Sequence, residues 1–415
     1  MAYLKRNIEN ILPKIRMSYP EIYVGGQRQV GKSTMIRMIM GSEYRFVNLR
    51  DIEDRTLALS NPRLFFEMHR PPVFIDEIHL APNLLDTMMT LSDLYAFENL
   101  QRDRQKSNLF FLSSSSSQLH GIRGINESSA GRVAVLEMSG ISLQERNGVD
   151  FGAFTPTLSL LTKRNAKHRT KEEIYQIIFE GGMPKIVIDK VDRDLYYSSY
   201  LDSYINKDLR ELANLRKGDD FYRFLRFLAA RTAQTIDYTA ISKAIGVSVL
   251  TIREWFALLE STGIIKLLAP FMANISNRII KAKKMYFMDT GLCLYLLGFS
   301  DWRPVMNNSL ISGSIFETFI VSEIIKSFLN QGKTYEDKLF YYRDTSQREI
   351  DLLMFDGVSL TPIEIKKSDA APKPDKNFHV LSVYGLPIEM GWILSNVDRI
   401  RPINDHVWEF PVSLI

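Results

Sequence analysis

The stretch Gly26-Gln27-Arg28-Gln29-Val30-Gly31-Lys32-Ser33 fits the phosphate-binding pattern G-x-x-x-x-G-K-[ST] at every required position. Glycines allow the backbone to form a tight concave loop, so that successive N–H groups can point at phosphate oxygens. In this pattern Lys32 reaches the β- and γ-phosphates, and the Ser33 hydroxyl binds Mg²⁺. These residue types indicate a site for a nucleoside triphosphate; a glycine-rich turn that matches by chance is the alternative.

The residues on either side of the loop favour the nucleotide interpretation. Glu21-Ile22-Tyr23-Val24 is predicted to be a short strand, and residues 34–40 are predicted to form a helix. A helix N-terminus at the end of the loop adds positive dipole to an anion site. We therefore predict that ATP contacts the whole loop, Gly26 to Ser33, and also Thr34 in the first turn of the helix.

Composition limits the class of protein. The chain has 415 residues, 45% of them hydrophobic and 24% charged, which is typical of globular proteins with two or three domains. The single cysteine, Cys293, excludes an internal disulfide and a cysteine-based zinc site. A net charge of +4 does not by itself indicate nucleic acid. No apolar run predicts a membrane span or a signal peptide, so we expect a cytoplasmic protein with no membrane partner.

A second motif ends in two carboxylates. Pro72-Val73-Phe74-Ile75-Asp76-Glu77 is predicted to be an apolar strand, and another strand, over residues 44–49, is predicted between it and the loop. Asp76 can hold Mg²⁺ through its water shell beside Ser33, and Glu77 can polarise the water that attacks the γ-phosphate. This order of motifs indicates the P-loop ATPases in which a third strand separates the two motif strands.

Two polar features accompany the next predicted strands. The apolar run at residues 108–112 leads into Ser113, Ser114 and Ser115, which are candidates for a sensor of the γ-phosphate; we place Ser114 in the site, and a flexible serine loop is the alternative. Arg132 precedes a fifth predicted strand, over residues 133–138. It is either a solvated edge residue or an arginine finger, and as a finger we expect it to act on a neighbouring subunit of a homo-oligomer.

These motifs resemble an uncharacterised prokaryotic AAA-type ATPase family whose members carry a C-terminal domain of unknown function. The resemblance lies in four stretches: Gly26 to Ser33, Phe74-Ile75-Asp76-Glu77-Ile78-His79-Leu80-Ala81-Pro82, Leu112 to Ser115, and Ser129-Ala130-Gly131-Arg132. Later pieces that also match are Glu180-Gly181-Gly182-Met183-Pro184, Tyr204-Ile205-Asn206-Lys207-Asp208-Leu209, Asp289-Thr290-Gly291-Leu292, Phe316-Glu317-Thr318 and Ile363-Glu364-Ile365-Lys366. The resemblance implies an ATPase core and extends over most of the chain.

The chain departs from the usual family motifs at several positions. Gln27 stands where the family has proline, Ser33 replaces threonine, and His79 and Leu80 replace glutamine and lysine. Ser113-Ser114 replaces the Thr-Gly of the sensor stretch. The first change leaves phosphate binding intact, whereas the serines replace a tight turn and bear on sensing and hydrolysis more than on binding.

The middle of the chain has two predicted parts. Residues 171–215 have a helical pattern and are predicted to form a lid over the nucleotide, in which Lys185 or Arg210 either serves a neighbouring nucleotide or is plain solvated charge. Residues 221–288 have the pattern of a winged helix-turn-helix, with helices over 221–233, 238–245 and 249–261.

A basic stretch in that second part suggests nucleic acid as a partner. The presented helix is not strongly basic, since Arg253 stands beside Glu254, but no acidic residue lies between Glu260 and Asp289. Lys266 belongs to this basic patch, and the predicted nucleic-acid contacts are Arg253, Arg278, Lys281, Lys283 and Lys284. Such a patch suits phosphate contacts of low sequence specificity; a protein-packing module is the alternative.

The C-terminal third has the pattern of a PD-(D/E)xK nuclease. Asp351 and Glu364 lie on successive predicted strands and can converge on Mg²⁺, with Glu317 from the preceding helix as a further metal ligand. Lys366, two residues beyond Glu364, points to the same face and can activate a hydrolytic water. A solvated strand with alternating charge is the alternative, and a fold of this kind can also act as a binding module.

We therefore predict an α/β protein of several domains. Its parts are a P-loop AAA-type core with a parallel sheet (residues 1–150), a helical lid (151–220), a winged helix-turn-helix (221–300) and a nuclease-like α/β domain (301–415). The expected function is that of an ATPase, with ATP and Mg²⁺ as cofactors, coupled to nucleic-acid binding or remodelling and with possible Mg²⁺-dependent cleavage. The alternative is an ATP-gated signalling or assembly switch, in which an inactive nuclease-like domain binds a protein partner.

Overall fold

The phosphate-loop pattern lies at the carboxyl end of a strand in a five-stranded parallel sheet. The computed structural model describes residues 3–42, 44–101, 109–114, 131–164, 168–203, 218–272, 282–367 and 377–415. The strands of this sheet are β1 (Glu21–Gly25), β2 (Arg45–Asn48), β3 (Val73–Asp76), β4 (Phe110–Ser113) and β5 (Val133–Glu137). Their order is β2-β3-β4-β1-β5, so β4 separates the two motif strands as predicted.

Helices cover both faces of this sheet. The side chains of β1 alternate, because Ile22 and Val24 join one hydrophobic core whereas Tyr23 joins another. The helices of this region are α1 (Leu12–Ser18), α2 (Lys32–Ile39), α3 (Ile52–Ser60), α4 (Pro62–Met68) and α5 (Leu84–Gln101), with 3₁₀ turns at Asn7–Asn10 and Ile78–Leu80. Helix α2 begins two residues before the predicted position, because left-handed Gly31 (φ 97°) turns the chain directly into it.

Short helices form the next part of the chain. They are α6 (Leu143–Arg146), α7 (Leu158–Leu161), α8 (Lys171–Glu180), α9 (Pro184–Val187) and α10 (Arg193–Ser203). The chain breaks sharply between α8 and α9 at Gly181 (φ 76°), where an added Cβ would lie 2.4 Å from Asp289 Oδ1. The predicted helical residues 204–215, including Arg210, lie outside the described residues.

A small antiparallel sheet and three helices follow. The helices are α11 (Gly218–Ala229), α12 (Tyr238–Ile245) and α13 (Val249–Ser261), and the strands are β6 (Gln234–Thr235), β7 (Ile265–Leu268) and β8 (Lys284–Phe287), in the order β6-β8-β7. The Asp237 side chain caps α12, left-handed Gly246 ends it, and the Ser248 side chain caps α13. The order of helices and wing strands is the expected one, and its use as a winged helix-turn-helix stays a prediction.

The C-terminal part packs helices against a mixed six-stranded sheet. Its helices are α14 (Thr290–Leu296), α15 (Trp302–Asn307) and α16 (Ser312–Leu329), with 3₁₀ turns at Phe378–Tyr384 and Val412–Leu414. Its strands are β9 (Leu339–Arg343), β10 (Glu349–Phe355), β11 (Leu360–Ile365), β12 (Gly391–Ser395), β13 (Arg401–Asn404) and β14 (Val407–Pro411), in the order β13-β14-β12-β11-β10-β9. Most of α16 is buried, and it shares one core with β11 and β12.

None of the helices within the described ranges has both the length and the apolar character that crossing a bilayer requires.

Candidate nucleotide site

Two glycines shape the loop between β1 and α2. Gly26 has φ 125°, and a Cβ there would lie 2.2 Å from the carbonyl oxygen of Met138, so only glycine fits against the chain that follows β5. Gly31 has φ 97°, and Gln29 between them also has a positive φ of 63°. The loop thus has the tight, locally left-handed backbone that the sequence pattern predicts for a phosphate cradle.

Lys32 is buried beneath the loop. Its Nζ donates to the carbonyl oxygens of Gly26 (2.8 Å) and Gln27 (2.7 Å), the first two residues of the pattern. Burial lowers the pKa of this lysine to about 8, although the negative charges of Glu77 and Asp76 oppose that shift. The ammonium therefore holds the loop in shape and lies close to both carboxylates of the second motif.

The two carboxylates leave the end of β3 in different environments. Asp76 accepts hydrogen bonds from the Ser113 hydroxyl, its partner residue across β4, and from the Glu77 N–H at 3.1 Å. Glu77 has a left-handed backbone (φ 60°), and its Oε1 accepts from Arg50 at 2.6 Å. Its Oε2 lies 3.4 Å from His79 Nδ1.

The charges around Glu77 keep it ionised. Burial opposes ionisation, but the nearby His79, Arg50 and Lys32 outweigh it, so the pKa of Glu77 lies below its usual value. A carboxylate that is ionised near neutral pH can accept a proton from an attacking water, provided that Arg50 releases it.

One cavity of about 720 Å³ brings these groups together. Its size suits a nucleotide-sized ligand. Predicted residues that line it are Arg28, Gln29, Val30, Gly31, Lys32, Ser33, Thr34, Asp76 and Glu77. Gly26 and Gln27 lie buried at the base of the loop. Ser33 and Asp76 present a hydroxyl and a carboxylate to one cavity, which is the donor set that Mg²⁺ needs beside a triphosphate.

The sensor prediction needs a correction. The Ser114 hydroxyl is 3.0 Å from His79 Nδ1, and Ser114 is not among the residues that line the cavity. Ser113, which we did not place in the site, is the serine that contacts Asp76. Neither serine is among the residues that line the cavity, and alternate side chains of a strand point to opposite faces, so Ser113 rather than Ser114 reaches Asp76. Ser115 lies outside the described residues.

Arg6 is a residue of the cavity that the sequence did not indicate. It is 3% exposed, and its guanidinium donates to the carbonyl oxygens of Val30 (2.8 Å) and Ser139 (2.8 Å) and to Glu145 (3.0 Å). It therefore ties the phosphate loop to the chain that follows β5. A single arginine near the N-terminus has no spacing pattern that could have revealed this. Arg50, the partner of Glu77, was missed for the same reason.

Helix α9 borders the cavity, and residues distant in the sequence hold the segment that precedes it. Pro184, Lys185 and Ile188 line the cavity. The Gly182 N–H before this helix donates to Asp289 Oδ2 at 2.8 Å, and the Gly182 carbonyl accepts from the Ile141 N–H at 2.7 Å. The Gly-Gly-Met-Pro stretch thus links the nucleotide cavity to the segment after β8.

Arg132 lies far from the loop of its own chain. Val133, the next residue, pairs with Glu21 at the start of β1, whereas the loop follows Gly25 at the other end of that strand. Arg132 forms an ion pair with Asp93 at 3.2 Å. A role on its own nucleotide is therefore excluded in this conformation.

The predicted basic patch is partly buried, so one of its predicted nucleic-acid contacts needs correction. Lys284 is 3% exposed and Lys266 is 5% exposed; Lys266 Nζ pairs with Glu137 at 2.7 Å. Lys284 was a predicted nucleic-acid contact, and its burial excludes that role. Arg253 is exposed and Lys283 half-buried. Arg278 and Lys281 lie outside the described residues.

The nuclease-like residues do come near one another. Lys366 Nζ donates to Glu364 Oε1 at 2.5 Å, and the Ile365 N–H donates to Asp351 Oδ2 at 2.9 Å. Glu317 Oε1, however, accepts a hydrogen bond from Lys284 Nζ at 2.8 Å. In the described part of the chain, no group of three or more His, Cys, Asp or Glu side chains is placed to hold a metal ion. Glu317, Asp351 and Glu364, predicted to hold a metal with Lys366 as catalytic lysine, thus do not form such a group in this conformation.

Comparisons with known proteins agree with the N-terminal geometry. Residues 18–147 match the family model of an AAA domain, so the loop, the parallel sheet and this match together support an AAA-type ATPase. Residues 171–303 and 312–415 match two domains of unknown function, DUF8612 and DUF4143.

Two curated proteins are similar to this chain. They are uncharacterised proteins of Mycobacterium tuberculosis and Mycobacterium bovis, each 24% identical over 337 residues. The similar region covers 80% of this chain and 67% of each relative. Their descriptions name no activity, so the role of the C-terminal half rests on its own residues.

Proposed function

We propose that the chain binds Mg·ATP in the 720 Å³ cavity and hydrolyses it. The observation that carries this proposal is that the phosphate loop, Asp76 and Glu77 surround one cavity. Lys32 would turn from the loop carbonyls to the terminal phosphates, and Ser33 and Asp76 would hold Mg²⁺, which screens the phosphate charge. Glu77 would take the proton of the attacking water.

Arg50 and His79 set the condition for hydrolysis. Both lie against Glu77 in this conformation, so the base becomes available only when its contact with Arg50 at 2.6 Å is released. A neighbouring subunit would supply Arg132, because the arginine lies at the edge of the sheet opposite its own loop. We therefore propose a homo-oligomer as the hydrolysing form.

For the role of the whole chain we favour an ATP-gated switch. Its support is a chain of contacts: Glu137 pairs with Gly25 at the base of the loop, and its carboxylate holds Lys266 of β7. The neighbouring strand β8 carries Lys284, which holds Glu317 of α16. A movement at the loop would thus reach the C-terminal part through one small sheet.

Nucleic-acid binding is the second candidate. It is supported by the exposed Arg253 and Lys243 on α13 and α12 and by the half-buried Lys283. Fluorescence anisotropy with labelled duplex DNA, with and without ATP, separates the candidates. Salt-sensitive binding that Arg253→Ala weakens supports nucleic acid, whereas ATP-dependent assembly without DNA binding supports the switch.

Lys32→Ala tests the nucleotide site. It removes the loop ammonium, so Mg·ATP affinity should fall by about 100-fold or more. Titration with a fluorescent ATP analogue measures the loss, and phosphate release reports hydrolysis. Lys14→Ala, on the exposed side of α1, is the matched control and should leave both unchanged. Equal affinity in Lys32→Ala and native protein would overturn the proposal.

A further inference from the structure

A buried lysine of β8, Lys284, lies among carboxylates of the C-terminal part. Strand β8 delivers Lys284, whose Nζ is 2.8 Å from Glu317 Oε1 and 2.5 Å from Glu349 Oε1. Its side chain is 3% exposed. The Tyr286 hydroxyl, on the same strand, donates to the same Glu317 oxygen at 2.8 Å. The ammonium is thus enclosed by acceptors from α16 and β10.

Asp351 also lies near this ammonium, and Glu364 lies in turn near Asp351. Burial, together with the negative charge of Asp351, raises the pKa of both Glu317 and Glu364 to about 7. Burial also raises the pKa of Asp351, and the positive charge of Lys284 opposes that shift. Glu364 Oε2 is buried and receives no hydrogen bond from the described residues. Four acidic side chains therefore share one region, and the described cations that pair with them are Lys284, Arg343 and Lys366.

We propose that the Lys284 ammonium is the built-in cation of this cluster and that it excludes a divalent metal ion from Glu317, Asp351 and Glu364. An ammonium has three donors and no acceptor, so it satisfies carboxylates as a metal would but cannot activate a water. The Lys284 Nζ lies 2.8 Å from Glu317 Oε1 and 2.5 Å from Glu349 Oε1, so two carboxylates hold the charged form directly.

Lys366 is not the built-in cation of the cluster, although it is the lysine of the nuclease-like sequence pattern. Its side chain is 41% exposed and contacts one carboxylate, Glu364. Lys284 is remote in the sequence and belongs to the small sheet, so the cluster is closed by a residue from outside the nuclease-like pattern. This inference does not depend on the proposed ATPase function.

Metal binding by Lys284→Met tests the proposal. Methionine keeps much of the lysine volume but removes the charge. Binding of Mn²⁺ is measured by electron paramagnetic resonance in nucleotide-free full-length protein. We expect Lys284→Met to bind one additional Mn²⁺, at least about tenfold more tightly than the native protein. The double variant Lys284→Met/Asp351→Asn should lose that gain, which separates it from any ion at Ser33 and Asp76.

Lys366→Met is the matched control, because it removes the exposed lysine of the same cluster. It should change Mn²⁺ affinity by less than about twofold. The proposal fails if native protein already binds Mn²⁺ in a manner that Asp351→Asn abolishes. It also fails if folded Lys284→Met gains no ion.

A second measurement covers the case in which Lys284→Met does not fold. Native protein is treated with acetic anhydride, with and without millimolar Mn²⁺, and the acetylation of each lysine is read by mass spectrometry. An enclosed Lys284 should react slowly and at the same rate in both samples. Acceleration by Mn²⁺ would mean that the metal displaces the ammonium, which overturns the proposal.

Discussion

The nucleotide cavity and the C-terminal cluster use the same residue types to opposite effect. In the cavity, Lys32 bonds to backbone carbonyls and leaves Asp76 and Glu77 facing a space of about 720 Å³. In the cluster, Lys284 bonds to the carboxylates themselves. Neighbouring carboxylates are therefore open for chemistry or closed to it according to where the nearest lysine places its charge.

The largest difference between the two regions is expected when one glutamate of each is replaced by glutamine and ATP hydrolysis is measured. Glu77→Gln removes the general base, so ATP hydrolysis should fall by about 100- to 10,000-fold while ATP binding is retained. Glu364→Gln should leave hydrolysis unchanged. Phosphate release and nucleotide titration measure both variants. An unaffected rate in Glu77→Gln would remove this residue from the mechanism.

The second prediction concerns Arg6 and the stability of the nucleotide region. Its side chain is 4% exposed and its partner Glu145 is fully buried, so Arg6→Ala should cost about 3–5 kcal/mol of unfolding free energy. Arg303, 67% exposed and paired with Asp301 at 2.8 Å, is the matched control and should cost about 0–1 kcal/mol. Urea denaturation gives both values. Similar costs would show that Arg6 is not buried in solution.

Glu21 extends the comparison to a carboxylate whose described partners are a serine hydroxyl and an arginine. It is fully buried at the start of β1, and burial raises its pKa to about 7, against the opposing effects of the Ser92 hydroxyl and Arg132. Folding therefore favours the protonated acid. Its contribution is fully present below the unfolded pKa of about 4.5 and is lost as pH rises through 7.

Glu21→Gln should accordingly remove up to about 3 kcal/mol of the pH dependence of stability between pH 5 and 8. Urea titrations at four pH values measure it, with the exposed Glu67→Gln as control. If stability rises with pH more steeply in native protein than in Glu21→Gln, the sign is wrong and Glu21 is ionised when folded.

The smallest expected effect is complementation between subunits. Arg132→Ala and Lys32→Ala are each expected to hydrolyse ATP poorly, for different reasons. In a mixed oligomer, Lys32→Ala subunits would lend their intact arginine to the intact loops of Arg132→Ala subunits. The mixture should be more active than either variant alone and less active than native protein. No gain on mixing, at concentrations where the native rate is constant, would argue for a self-contained site.

Sequence patterns predicted those parts of the nucleotide site that are formed by consecutive residues. The loop from Gly26 to Ser33 and the carboxylates at the end of β3 could be found because each needs a fixed spacing on consecutive residues. Ser113 was missed in favour of Ser114 because the end of a strand cannot be located to one residue from composition. The choice between them decides which hydroxyl contacts Asp76.

The rest could not be predicted because it depends on contacts between distant segments. Arg6 meets Glu145 across 139 positions, and Lys284 meets Glu317 across 33. In the sequence, Lys284 belongs to a basic stretch that suggests a solvent-exposed surface. Its burial follows from pairing between β7 and β8, which places alternate side chains toward α16, and no property of its neighbours in the sequence specifies that.

Two lysines on the paired strands β7 and β8 connect the nucleotide loop to the C-terminal part. Lys266 lies opposite Tyr286, and Leu268 lies opposite Lys284, so both lysines project from one face of a single hydrogen-bonded unit. One holds a carboxylate beside the nucleotide loop and the other holds a carboxylate of α16. If ATP changes the affinity of the C-terminal part for a partner, thermodynamic reciprocity requires that partner to change the affinity for ATP by the same factor. An unknown partner could therefore be sought through ATP affinity alone, by recording which cell fractions tighten or weaken it.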